Sequence, residues 1–164
     1  MTFQSPDGKR HAESHIASLV QAYLAADYRW ELDGHWHPMR IGAHAQELEQ
    51  AFPDARSFGL LSAWNPHSVE RAEAVNRTED EALNAALHES GFPYRAAFSS
   101  ARNRTWREPS WIVMDMPLDA FDALARRFGQ LGTVHGVAGG VTRLRVYHAP
   151  IALPRGGQLV DWLG

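Results

Sequence analysis

Phe58-Gly59-Leu60-Leu61-Ser62-Ala63-Trp64-Asn65-Pro66-His67-Ser68 is the stretch whose reading decides the fold. From Phe58 to Ala63 only Ser62 interrupts a continuous apolar run, which reads as a central strand. Asn65-Pro66 ends it, because proline brings no backbone N–H and biases the residue before it away from helix. Ser68 then caps a long helix reaching Ser90, with Gly91 at its C-terminal stop. A buried strand that runs through a polar, aromatic corner into a helix is where such domains build ligand sites.

Working toward the N-terminus, Gly42 leads to a short helix through Leu48 and Phe52, which Pro53 stops. His37 to Ile41 and Tyr28 to Leu32 pair as a hairpin about Asp33-Gly34, the latter strand by strict alternation. Ile16, Leu19, Val20, Tyr23 and Leu24 form one helical face over residues 11–26. Toward the C-terminus, Tyr94 to Phe98 and Trp111 to Met114 are strands separated by a polar loop. Pro117 and Gly129 bracket a helix carrying Phe121, Leu124, Ala125 and Phe128. Two strands, Leu131 to Val137 and Val141 to Tyr147, turn about Gly139-Gly140. Strict βαβ alternation fails at both ends, so the fold expected is α+β, a single domain with a mixed β-sheet covered by helices. That domain spans 11–148, between a flexible N-terminus (1–10) and a C-terminal tail (149–164).

At 164 residues the chain can bury a full core, and it has no cysteine, which removes disulfides, thiolate metal ligands and cysteine nucleophiles. A formal charge of -3 argues against a general nucleic-acid surface. No apolar run approaches the roughly 20 residues of a membrane span, and the start lacks an apolar signal core. A cytoplasmic protein without a membrane contact is expected.

Polar residues placed against apolar elements are the candidate site. On a helix of about 100° per residue, Asn76 falls within about 20° of Leu83 and Leu87, and Asp80 within about 40° of Asn76. A buried amide there either meets a ligand or tethers a neighbouring loop. The start of that helix, at Asn65 and Ser68, favours an anion. Trp64 reads as a wall for a flat ligand or as core. Arg102, Arg104 and Arg107 surround Trp106, and Glu108 precedes Pro109, where it either orients Arg107 or serves as an acid or base. His35, His37 and His44 are close in sequence without completing a tetrahedral ligand set, so no metal is expected. His135 interrupts an apolar strand. No Gly-rich phosphate loop, Gly-x-Ser-x-Gly elbow or zinc pattern is present, and no cofactor is expected. Ser62 and Ser110 have no base visible in sequence.

Leu61 to Ser68, Asn76, Trp106-Arg107-Glu108-Pro109-Ser110-Trp111 and Arg127-Phe128-Gly129-Gln130, in that order, resemble the small bacterial domain-of-unknown-function family 3293. The likeness extends over about Leu19 to Leu144. Where the family reads Thr-Ala-Trp-Asn-Pro this chain has Ser62, keeping the hydroxyl. Where the family helix carries a second Arg-Asn pair, this chain has Glu79 and Asp80, reversing the local charge. The resemblance implies a site that includes Gln130 at a helix C-terminus, and it implies no reaction.

These readings support a domain binding a small polar ligand, anionic or nucleotide-like, at Trp64, Asn65, Ser68, Asn76, Trp106, Arg107 and Gln130, with Glu108 as the candidate catalytic group. Asn65, Asn76, Glu108 and Gln130 are expected around one cavity. The competing reading is a protein-interaction or regulatory module that uses an exposed tryptophan patch. Oligomeric state and partners are not legible in the residues.

Overall fold

The computed structural model describes residues 6–102 and 107–164. Arg104 and Trp106 lie outside the described residues. In chain order the elements are α1 (Pro6–Ala25), β1 (Asp27–Leu32), β2 (His35–Met39), α2 (Gln46–Ala51), β3 (Ser57–Leu61) and α3 (Glu73–Ser90). They continue with β4 (Tyr94–Ser100), β5 (Arg107–Met114), α4 (Leu118–Arg127), β6 (Gly132–Val137), β7 (Arg143–Val146) and β8 (Val160–Trp162). The strands form one open sheet in the order β2-β1-β4-β5-β3-β6-β7-β8. Every neighbouring pair is antiparallel except β7 with β8, so the sheet is mixed and the domain α+β. Among the described residues no helix is long and apolar enough to cross a membrane.

Strand alternation divides the core between two faces. On the first face Tyr28, Trp30, Leu60, Ile112, Met114 and Val134 pack with Leu48 of α2. On the second, Leu61, Val113 and Ala63 pack with Leu83 and Leu87 of α3 and with Phe121 and Phe128 of α4. The central strand expected at Phe58 is β3, which lies between β5 and β6 and feeds both cores; it ends at Leu61, so Ser62 and Ala63 lie beyond it. Val20 of α1 packs with Leu144, Val146 and Val160, so α1 covers the β7–β8 side of the first face.

Two expectations are corrected. The long helix starts at Glu73 rather than after Ser68, and Ser68 belongs to a 3-10 turn, Pro66–Ser68. Asn65, His67 and Ser68 hold φ of 44°, 56° and 58°, left-handed values from which an α-helix cannot start. Second, β5 begins at Arg107, so Arg107 to Ser110 are strand residues paired with β4 from Ser100↔Arg107 onward. Near the two ends, α1 begins at Pro6 and β8 pairs with β7 in register Leu144↔Val160. Arg143 also pairs with Asp161 at 3.0 Å, and Arg126 donates to the Leu163 carbonyl at 2.8 Å.

The second face carries a buried ion pair beneath α4. Arg145 grips Asp122 through Nε at 3.0 Å and Nη2 at 2.6 Å, and the Tyr147 hydroxyl donates to the same carboxylate at 2.8 Å. Burial raises the Asp122 pKa, but these hydrogen bonds and the Arg145 charge outweigh it and hold the carboxyl below its ordinary range. His135, beside the Phe121 ring at 5.7 Å, is pushed down to about 4 by burial and by the Arg145 charge, and is a neutral core residue.

Candidate functional site

Beneath α1, on the first face, the sheet opens into a cavity of about 640 Å³. Cross-strand register builds its floor: Tyr28 of β1 lies opposite Ser99 of β4, which lies opposite Glu108 of β5. Leu60, Val134 and Leu144 continue the floor as apolar surface, and Leu19, Ala22 and Tyr23 of α1 close over it. Ser62, Asn65, Ser68 and Gln130 form one polar wall, and Glu70 and Arg102 also line the space.

Glu108 is buried, with 9% of its surface exposed, and it takes part in no ion pair among the described residues. Burial pushes its carboxyl up to about 7, although the polar side chains of Ser62 and Asn65 beside it hold it lower than burial alone would. At neutral pH such a group can both give and take a proton, which is the property required of a general acid or base. The phenols beside it respond in kind: burial raises the pKa of Tyr23 and Tyr28, and the Glu108 charge adds to both.

The wall stands on a network behind it. Asn76, buried in α3, accepts from the Asn65 backbone N–H at 2.9 Å and from Arg71 Nε at 2.6 Å. Its Nδ2 donates to Asn65 Oδ1 at 2.8 Å. Arg71 also donates through Nη2 to the Ala63 carbonyl at 2.8 Å. Asn65 is therefore locked with its oxygen facing α3 and its amide nitrogen free for Glu108. Gly129 closes the other side: its φ of +68° and its fit against Pro66, which a Cβ would approach to 2.8 Å, suit no other residue. Its carbonyl accepts from His67 N–H at 2.7 Å. Gln130 Nε2 donates to the carbonyls of Trp64 at 3.1 Å and Phe128 at 3.3 Å.

Of the residues expected around one cavity, Asn65, Glu108 and Gln130 line it, together with Ser68. Asn76 stands one layer back, as the tether of the Asn65 loop. Trp64 contributes its backbone to Gln130 and does not line the space. Arg107 points to the second face, its guanidinium 3.6 Å from the Phe98 ring centroid and 5.9 Å from that of Trp36. Neighbouring strand residues face opposite ways, so Arg107 cannot be oriented by Glu108. Asp80, where the charge reversal falls, accepts from the Trp111 indole at 2.8 Å. His37 stacks on Trp30 at 4.7 Å, and among the described residues no three metal-ligating side chains come together.

Tyr23 and Tyr28 escaped the sequence reading because a tyrosine on an apolar stripe reads as core. Their hydroxyls show otherwise: Tyr23 bonds Ser68 across the mouth, and Tyr28 donates to the Tyr23 carbonyl at 2.5 Å. Tyr23→Phe is expected to cost about 1 kcal/mol in a chemical melt. It should also speed amide exchange in the 65–68 turn, and unchanged exchange there would show that the contact does not hold the turn.

Residues 61–132 match the family model described as a protein of unknown function (DUF3293). This is the family that the motifs resemble. No curated protein and no solved structure matches the chain. The DUF3293 segment runs from the end of β3 to the start of β6 and is narrower than the likeness read from the motifs. It holds Ser62, Asn65, Ser68, Asn76, Glu108 and Gln130, the polar wall and its tether. Tyr23, Tyr28 and Leu144, which complete the cavity, lie outside the DUF3293 match.

Proposed function

We propose that this domain binds a small, largely apolar molecule beneath α1, with its polar end at Glu108. The observation that carries the reading is a buried carboxyl, in no ion pair among the described residues, inside a cavity large enough for a metabolite. Glu108 is the candidate acid or base should the bound molecule react there. Ser62 is not primed as a nucleophile, because its hydroxyl donates to the Pro109 carbonyl at 2.9 Å and accepts from the Trp64 N–H at 2.9 Å.

An anionic or nucleotide-like ligand has less support than the sequence suggested. Arg107 faces away, Arg71 is committed to Asn76 and the Ala63 carbonyl, and α3 begins eight residues beyond Asn65. An interaction module draws on one observation, the exposed Trp36 edge-on to Phe98 and beside Arg107 at the β2 edge.

A metabolite library screened by ligand-observed NMR tests the proposal, with Ala22→Trp as the blocked control. Ala22 is exposed and lines the cavity, so a large side chain there fills the mouth without entering the core. Compounds that bind the parent and lose binding in A22W support the site. Equal binding to both proteins, or no binding to the parent, overturns it.

A further inference from the structure

The hydrogen bonds around the cavity leave its polar wall rich in acceptors. Asn65 commits its oxygen to Asn76 Nδ2 and the Arg71 N–H, which leaves its nitrogen on the other side of the amide. Gln130 commits its nitrogen to the Trp64 and Phe128 carbonyls, which leaves its oxygen. Ser62 donates to Pro109. The acceptor capacity still open on this wall is that of the Glu108 carboxylate and the Gln130 amide oxygen, and the Tyr23–Ser68 bond leaves one hydroxyl proton beside them.

Charge runs the same way. Among the described residues that line the cavity, Glu70 and Glu108 are acidic and Arg102 is basic. The other arginines near this part of the sheet are engaged elsewhere: Arg71 behind the wall, Arg107 on the Phe98 ring, and Arg145 and Arg143 on Asp122 and Asp161. Glu108 has no ion-pair partner among the described residues; a buried carboxylate in that state is costly, and a ligand that supplies a charged donor removes that cost. Tyr23 and Tyr28 add aromatic surface beside it, which also tolerates a cation.

We propose that the ligand is a small organic ammonium compound, an apolar chain or ring ending in a protonated primary amine. The amine donates to Glu108 and to the Gln130 oxygen, and its apolar body lies on Leu60, Val134 and Leu144. A quaternary ammonium would satisfy the charge and leave both acceptors unbonded, so the primary amine is favoured. This inference rests on the cavity being a ligand site and adds the charge and donor character of what enters it.

Hexylamine, 1-hexanol and hexanoate share one apolar body and differ only at the head, so calorimetric titration of the three isolates the head group. Hexylamine is expected to bind about tenfold or more tightly than hexanol, as befits a charge-assisted hydrogen bond, with hexanoate weakest. In Glu108→Gln the amine should fall to the level of the alcohol, and in A22W all three should be lost. Hexanol or hexanoate binding the parent as tightly as hexylamine, with that binding lost in A22W, overturns the ammonium inference and leaves the ligand site standing. None of the three binding the parent up to its solubility overturns both.

Discussion

Asn76→Leu is expected to lose about 3 to 4 kcal/mol in denaturant unfolding, although leucine continues the apolar stripe of Leu83 and Leu87. The loss arises because one amide serves three partners: the Asn65 N–H, Arg71 Nε and Asn65 Oδ1 all lose a bond together. Burial of the new side chain offsets part of this and cannot replace it, since Asn76 is only 2% exposed and water cannot reach the groups left behind. Asn76→Asp keeps the acceptor for Asn65 N–H and Arg71 and should fall between the two. Because Asn65 then no longer holds its nitrogen toward Glu108, the titration midpoint of Glu108 should rise in Asn76→Leu. A leucine variant as stable as the parent would show that the network contributes nothing, and would return Asn76 to the list of ligand contacts.

Glu108→Gln is expected to raise stability at pH 8 by about 2 to 3 kcal/mol and to change it little at pH 5. In the unfolded chain this carboxyl ionises near 4.5, and in the folded protein near 7. Between those values the folded state holds a proton that the unfolded state has released, so stability falls as pH rises through this window and stays reduced above it. Glutamine has the same shape and no charge to bury, so it removes that slope. Subtracting the two pH profiles cancels every other titrating group, including Asp122, whose lowered pKa acts oppositely and costs stability as pH falls through its folded value. Parallel profiles from pH 5 to 8 would mean that Glu108 ionises as it does in water, and the cavity would lose its proton-exchanging group. The same substitution should remove amine preference, so gain of stability and loss of binding belong to one residue. That pairing is the usual mark of a functional group kept at a cost to the fold.

Local rules made much of the architecture readable. The alternation at Tyr28 to Leu32, the turn at Asp33-Gly34, the bracketing of α4 by Pro117 and Gly129, and the apolar run at Phe58 each state an element in a few neighbouring residues. The start of α3 was misread because Ser68 is a good cap by type, while the positive φ values of Asn65, His67 and Ser68 and the Arg71 bonds override type with geometry. The strand β8 was missed because three residues after a Pro/Gly-containing stretch carry no periodicity, and their place comes from pairing with β7 and from the Arg143–Asp161 bridge.

The site divides along the same line. Sequence by itself determined which residue types were out of place: Asn65, Asn76, Glu108 and Gln130 are polar groups beside apolar elements, and that is visible one residue at a time. Tertiary structure alone decided which of them share a space. Strand alternation sends Glu108 to the cavity and Arg107 to the far face, a two-residue distinction that depends on β5 beginning at Arg107. Hydrogen bonding sets Asn76 behind the wall and Asn65 in it. The roof comes from α1, more than eighty residues from Glu108 in the chain, and no local pattern can announce a contact whose partner is that distant. Side-chain type is a property of one position, whereas a cavity and the burial that shifts a carboxyl to about 7 are properties of everything packed around it.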